Sequence, residues 1–304
     1  MKKVLFASTA LIATAGMAAA DVSFGGYGRF GLVYTENATQ EAVLDHRFRL
    51  TVTGTTETDN GVKFEGRIRW EANDGTAPLG TNSAGGASTG AAGFAVSTGG
   101  LRLDVGHVSD VFDSGDVLNW GGYGVGYTSF LEQSSNFSSF DKKGFGAGTT
   151  TQQTVKLRYA TGDFTVSGSY TLDDTTIAGD NDYWQIGAGY SFGDHRVGAM
   201  YGDDGTNGQW ALGVDGSFGD FSYAVLVGDN DVESDTMYGA SGSYAISAAT
   251  SIQAAVSAGG ATATDTAFGI GVKHSLGGGV TLGAGVGSNS AGNTAADAGV
   301  VFNF

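Results

Sequence analysis

The sequence predicts an all-β protein, a transmembrane antiparallel β-barrel of about sixteen strands whose long third external loop folds into the pore. Three observations predict it. Residues 1–20 read as an export segment, short segments from Val22 to Phe304 alternate apolar and polar residues, and no later apolar run approaches the ~20 residues of a spanning helix. An exported chain of this kind is either soluble or inserted as a closed barrel, the other architecture that satisfies its backbone within lipid.

The export segment has a basic start at Lys2 and Lys3, an apolar run from Val4 to Met17, and the small residues Ala18, Ala19 and Ala20 ahead of Asp21. The mature chain is therefore expected to begin at Asp21 and to form one barrel domain, residues 21–304. Gly is 53 without a Gly-X-Y period, which excludes collagen, and 41% hydrophobic residues argue against a wholly disordered chain; cysteine is absent. Loss of Lys2 and Lys3 leaves 13 basic residues against 31 acidic ones, a net charge of −18, which argues against a nucleic-acid partner.

The strands follow in order. Val22, Phe24, Gly26, Gly28, Phe30 and Leu32 share one face, opposite Ser23, Tyr27 and Arg29. Phe48, Leu50 and Val52 oppose Arg47, Arg49, Thr51 and Thr53; Val62, Phe64, Ile68 and Trp70 oppose Lys63, Glu65, Arg67, Arg69 and Glu71. After a Gly/Ser/Ala-rich loop, Leu101, Leu103 and Val105 alternate with Arg102 and Asp104. Beyond the long loop, Val155, Leu157 and Tyr159 alternate with Lys156 and Arg158, and the pattern continues to Ala298, Val300, Phe302 and Phe304. Tight turns at Gly193-Asp194, Gly219-Asp220 and Gly277-Gly278-Gly279 alternate with longer acidic or Gly/Ser-rich loops, as periplasmic turns alternate with external loops. A soluble sandwich shows similar alternation, so periodicity leaves both readings open. Aromatic placement favours the barrel: Trp184, Tyr201, Trp210 and Tyr238 sit near one end of their strands, with Phe192, Phe218, Phe221 and Phe304 near the other, as two interfacial girdles require.

The stretch 109–152 breaks the alternation. It carries Asp110, Asp113, Asp116, Glu132 and Asp141 around the run Gly121-Gly122-Tyr123-Gly124-Val125-Gly126-Tyr127. A loop this long in a compact domain is normally functional or disordered, and it reads as a loop that narrows an aqueous pore.

At this point the chain resembles the Rhodobacter-type general diffusion porins of alphaproteobacteria. The likeness covers nearly the whole mature sequence and rests on 48–56 (Phe48 to Thr56), on Gly124-Val125-Gly126-Tyr127-Thr128, on Ser275-Leu276-Gly277-Gly278-Gly279 and on the ending Ala296 to Phe304. It implies a sixteen-stranded homotrimer surrounded by outer-membrane lipid and lipopolysaccharide, passing small hydrophilic solutes and ions. It also implies an inward third loop after the fifth strand. The terminal Phe302 and Phe304 look like an outer-membrane assembly signal.

Arg29, Arg47, Arg49, Lys63, Arg67, Arg69 and Arg102 all lie on the polar parity of strands before the long loop. Each would cost ~2–4 kcal/mol facing mid-membrane lipid, so they must face the lumen or an end. The functional reading sets these arginines across a constriction from Asp110, Asp113, Asp116 and Glu132, in a pore with weak cation preference overall, since charged rings govern selectivity. The plainer reading pairs them with Glu65, Glu71 and Asp104. Lys142 and Lys143 read as a solvated loop tip.

Other motifs are weak. Gly283-Ala284-Gly285-Val286-Gly287 lacks the strand-to-helix context of a dinucleotide site and suits small inward residues in a barrel. His46, His107, His195 and His274 lack metal-ligand spacing. Asp229-Asn230-Asp231 carries the oxygen ligands that calcium takes and equally reads as a solvated loop tip; no other cofactor is expected. A catalytic reading needs a nucleophile beside a base, and no such pair stands out. A secreted β-rich adhesin is the remaining alternative for so acidic and glycine-rich a chain.

Overall fold

The computed structural model describes residues 20–73, 86–146, 152–172, 181–262 and 264–304. Of the proposed export segment, only Ala20 falls among them. The described strands are β1 (Asp21–Thr35), β2 (Ala42–Glu57), β3 (Lys63–Asn73), β4 (Ala87–Thr89), β5 (Gly93–Thr98), β6 (Leu101–Gly106), β7 (Thr154–Thr161), β8 (Phe164–Thr171) and β9 (Tyr183–Phe192). They continue with β10 (His195–Asp203), β11 (Gly208–Phe218), β12 (Phe221–Asn230), β13 (Asp235–Ala245), β14 (Thr250–Gly260), β15 (Ala267–Gly277), β16 (Val280–Ser288) and β17 (Thr294–Asn303). A single turn of helix, α1 (Val111–Ser114), follows β6.

Each strand pairs antiparallel with the next. β3 pairs with β4 along Trp70–Ala72 and with β5 along Lys63–Arg67, so β4 and β5 are two pieces of one barrel strand. The barrel therefore has sixteen strands. It closes where β1 pairs with β17 as well as β2, in the registers Tyr27↔Asn303 and Tyr27↔Arg49. Beyond β17, Gly26 and Phe304 exchange both backbone hydrogen bonds, at 3.0 and 3.1 Å. Closure leaves no unpaired edge, which lipid would not tolerate.

The tight turns have a conformational cause. Gly193 and Gly219, each the first of two turn residues, adopt φ of 59°, which a two-residue hairpin with glycine first demands.

Burial decides between barrel and sandwich. Phe24 is 68% exposed, Phe94 58% and Ile270 55%, all on the parity expected to be apolar, so the greasy face points outward. Buried hydrophobics lie inside instead: Val111, Phe112, Val117, Leu118, Trp120, Phe137 and Phe140 of the long loop pack with Met200, Ala211, Leu226 and Met237 of the wall. At one rim Trp184 and Tyr201 lie 5.5 Å apart and Tyr201 pairs with Trp210. At the other, Phe218 pairs with Phe221, and Phe304 stacks on Phe48 at 5.4 Å. These are the two girdles. Gly26 and Gly28, read from sequence as lying on the apolar face, have another local cause: a Cβ on Gly28 would collide with the Phe302 ring, and one on Gly26 would overlap the Arg49 carbonyl.

Candidate functional site

The long loop does not float in the lumen. It leaves β6, makes α1, runs along the inner wall, turns at the bridge Val125↔Leu131, and returns to β7. What admits it is a wall of lumen-facing glycines. A Cβ on Gly189 would lie 2.8 Å from the Val117 carbonyl, one on Gly283 2.8 Å from Tyr127 Cβ, and one on Gly285 2.7 Å from Val125 Cγ1. A Cβ on Gly239 would overlap the Gln133 carbonyl outright. The run 283–287, weak as a nucleotide motif, is thus part of the loop's seat.

Polar wall residues fix the loop's position. Ser241 accepts from the Tyr123 amide at 2.8 Å, Lys273 donates to the Gly124 carbonyl at 3.1 Å, and Ser257 accepts from the Asn136 amide at 2.9 Å. Gln185 and Gln209 each donate to the Asp141 carbonyl at 2.9 Å. At the tip, Asp297 on β17 accepts from the Tyr127 and Thr128 amides, and Asp45 on β2 accepts from the Tyr127 hydroxyl at 2.9 Å. Burial beside Asp45 pushes the Tyr127 phenol up, so it stays protonated and donates.

The body of the loop thus lies against β7–β17, while Tyr127, at Asp45, and Phe145, at Arg67 and Arg69, reach across to the sector from β1 to β6. That sector carries the arginines. Arg29 pairs with Asp45 at 2.9 Å; Arg47 donates to Asn73 at 2.7 Å and Tyr27 at 3.2 Å and lies 3.5 Å from Glu71. Arg49 also pairs with Glu71, and Arg102 bridges Glu65 at 3.1 Å and Asp104 at 2.9 Å. The ion-pair reading therefore holds for these. Arg67 and Arg69 differ: their guanidinium carbons lie 4.0 and 4.4 Å from the centroid of the Phe145 ring, on the loop's returning limb.

The loop acids are not where the sequence suggested. Asp110 is fully buried and caps α1, accepting from the Asp113 amide at 2.8 Å, the Lys143 amide at 2.6 Å, the Tyr183 hydroxyl at 3.0 Å and Gln185 at 3.2 Å. It is a pin beneath the loop, not a constriction charge. Burial pushes its carboxyl up to about 6 although these donors pull it down. Asp116 binds Lys156 at 2.7 Å and Arg158 at 3.3 Å on β7, not the arginines of β2 and β3. Glu132 is largely covered, and burial raises its pKa against the nearby charges of Lys142 and Lys273. Asp113 keeps a side chain 30% exposed, with Lys142 at 3.9 Å. Lys142 is open, as expected of a loop tip, but Lys143 is buried and donates to the Gln152 carbonyl.

Several contributors escaped the sequence reading. Asp297 was recoverable as an acid on the inward parity of β17 among Ala and Gly, and Lys156 and Arg158 share the lumen parity of β7. Phe145 gave no signal, because nothing local marks a loop aromatic for stacking on arginines. At the outer rim, Asp229 accepts from Thr236 and Asp231 from the Gly208 amide. Among the described residues no group of three or more His, Cys, Asp or Glu could hold a metal.

A closed barrel with an apolar outside, two girdles and an inward loop is the architecture of a membrane pore. The profile of the Gram-negative porins matches residues 7–294. The chain belongs to the Gram-negative porin family. This porin is 31% identical to the porin of Fuscovulum blasticum, over 93% of its own length and all of that protein. Its fold superposes with a TM-score of 0.80 on a triple mutant of Rhodopseudomonas blastica porin, at 28% identity, covering 93% of this chain and all of the other. Another structure, described under asymmetric conductivity of engineered proteins, gives a TM-score of 0.79 at 28% identity with the same coverage. The porin is an outer-membrane channel of sixteen antiparallel strands. That membership displaces the secreted-adhesin alternative.

Proposed function

We propose that this porin is a homotrimer whose barrels pass small hydrophilic solutes and ions by passive diffusion, with weak cation preference and without catalysis or a cofactor. One observation carries the reading: the body of the loop occupies the glycine-lined side of the lumen, and the wall bearing Arg47, Arg49, Arg67, Arg69 and Arg102 lies on the other side, met by the loop at Phe145. Water and solutes then pass between a cationic wall and the loop, whose open charges are Asp113 and Lys142. The acidic excess of the whole chain supplies the cation preference, because summed charge concentrates counter-ions at the mouths. The trimer reading rests on the resemblance to Rhodobacter-type porins, and removal of residues 1–20 on the pattern of the export segment.

Reversal potentials across planar bilayers under a salt gradient test the pore. Arg47→Ser with Arg49→Ser should raise cation preference, and Asp113→Asn should move it towards anions. Potentials unmoved by either would put these residues off the permeation path. Light scattering in mild detergent tests the trimer, and N-terminal sequencing of the outer-membrane protein should begin at Asp21.

A further inference from the structure

Arg29, Arg47, Arg49 and Arg102 each hold a carboxylate, whereas Arg67 and Arg69 hold none among the described residues. Arg69 donates to the Phe145 carbonyl and, at 3.3 Å, to Thr51. Arg67 makes no hydrogen bond or ion pair among the described residues; its contact is the Phe145 ring. Both side chains are half-buried rather than enclosed, on the lumen parity of β3. Two like charges are thus gathered within 4.4 Å of one ring centroid, and neither meets a carboxylate among the described residues. A ring face offsets part of their mutual repulsion, but a guanidinium fork is matched best by a pair of oxygens carrying negative charge.

We propose that Arg67 and Arg69 form a resting site for a small oxyanion, the phosphate or carboxylate group of a permeating solute, with Phe145 as its apolar support. The inference rests on the reading that this wall lines the permeation path. Phe145 gathers both guanidinium groups at one ring, and planar guanidinium serves recognition of a two-oxygen group better than a lysine ammonium would. The neighbouring Glu65 and Glu71 are engaged by Arg102, Arg47 and Arg49, so they do not neutralise the pair. Their charge still weakens the site, and a transit site must release what it holds. Lipid phosphates are excluded as the source, since both arginines lie on the lumen parity of β3 with Ile68 and Trp70 facing out.

The test is chloride current through the full-length porin in planar bilayers, with inorganic phosphate titrated at constant ionic strength and acetate in a parallel titration. A saturable block by phosphate is expected. Arg67→Ser and Arg69→Ser should each raise the half-blocking concentration about tenfold, the loss of one charge-assisted hydrogen bond or more, whereas Arg47→Ser should change it far less. Heat-modifiable migration confirms that each variant has assembled; Arg67→Lys keeps the charge but not the fork and should fall between. Block that never saturates, or that both serine variants leave at the wild-type half-blocking concentration, overturns the site. If Arg47→Ser, Arg67→Ser and Arg69→Ser leave conductance and reversal potential untouched as well, the permeation-path reading fails with it. If potentials shift while phosphate block does not, only the site is lost.

Discussion

Asp297, on the last strand, receives the Thr128 amide at 2.9 Å and its hydroxyl at 2.6 Å, from a residue 169 positions away in the chain. With the Tyr127 amide, three donors of the loop tip converge on one carboxylate. Asp297→Ala strands all three. Hydrogen bonds to charged groups contribute about 1.5–3 kcal/mol each, so the tip should leave its seat while the barrel survives. Trypsin reads this directly, because Lys143, buried in the seated loop, becomes reachable: faster cleavage after Lys143 with unchanged heat-modifiable migration is expected, and wild-type cleavage rates would refute the anchor.

The glycine seat makes a steric prediction. Gly239→Ala places a methyl into the Gln133 carbonyl, and Gly285→Ala places one 2.7 Å from Val125, whereas a Cβ on Gly54 meets nothing within 4 Å. The first two should displace the loop and raise single-channel conductance. Gly54→Ala should leave it alone, and equal conductance in all three would contradict the seat.

Glu71 is 6% exposed and serves both Arg47 and Arg49. Glu71→Gln releases two guanidinium charges into the lumen and leaves two partly buried cations without their acceptor. Reversal potentials should move towards anions, and thermal stability should fall by about 3–5 kcal/mol, the cost of breaking a buried pair from one side. A potential shifted the other way would show that these arginines do not face the path.

Asp110 gives the loop a pH dependence. Its folded-state pKa, about 6, lies above the ordinary 3.8, so the folded loop takes up the proton more readily than the unfolded chain. The stability this contributes is complete below 3.8 and lost as pH rises through about 6. Amide exchange at Asp113 and Lys143, corrected for intrinsic rates, should therefore be slower at lower pH across this window. Asp110→Asn should flatten that dependence and loosen the turn.

Phe304 closes the seam through its backbone bonds to Gly26 and its ring on Phe48. Deletion of Phe304 should lower the fraction of heat-modifiable barrel in the outer membrane. Normal surface levels would remove its assembly role.

The barrel was legible because strand parity obeys the solvent on each side: lipid selects Phe24 and Ile270 for one face, and water admits Arg49 and Arg67 to the other. The seam joins the first strand to the last, as closing an even number of antiparallel strands requires, and its register, Tyr27↔Asn303, comes from the fold. The loop was legible only as an interruption. That Asp110 lies buried while Asp113 stays open depends on which wall the loop rests against, and this is set by glycines scattered from Gly187 to Gly285 that look locally like strand filler. Nor does parity assign partners: it brought Arg47 and Arg67 to the same lumen, but only the fold gives one a carboxylate and the other a ring.

Glycine in a strand interior costs roughly 0.5–1 kcal/mol relative to alanine, through backbone freedom and missing contacts. Here the costs at Gly189, Gly239, Gly283 and Gly285 fall where the loop rests, so the wall gives up strand stability at the positions whose missing side chains leave space that the loop's own atoms fill. Wall and loop therefore share one optimum: a wall with alanine at these positions would form the better strands and would have no room for the loop.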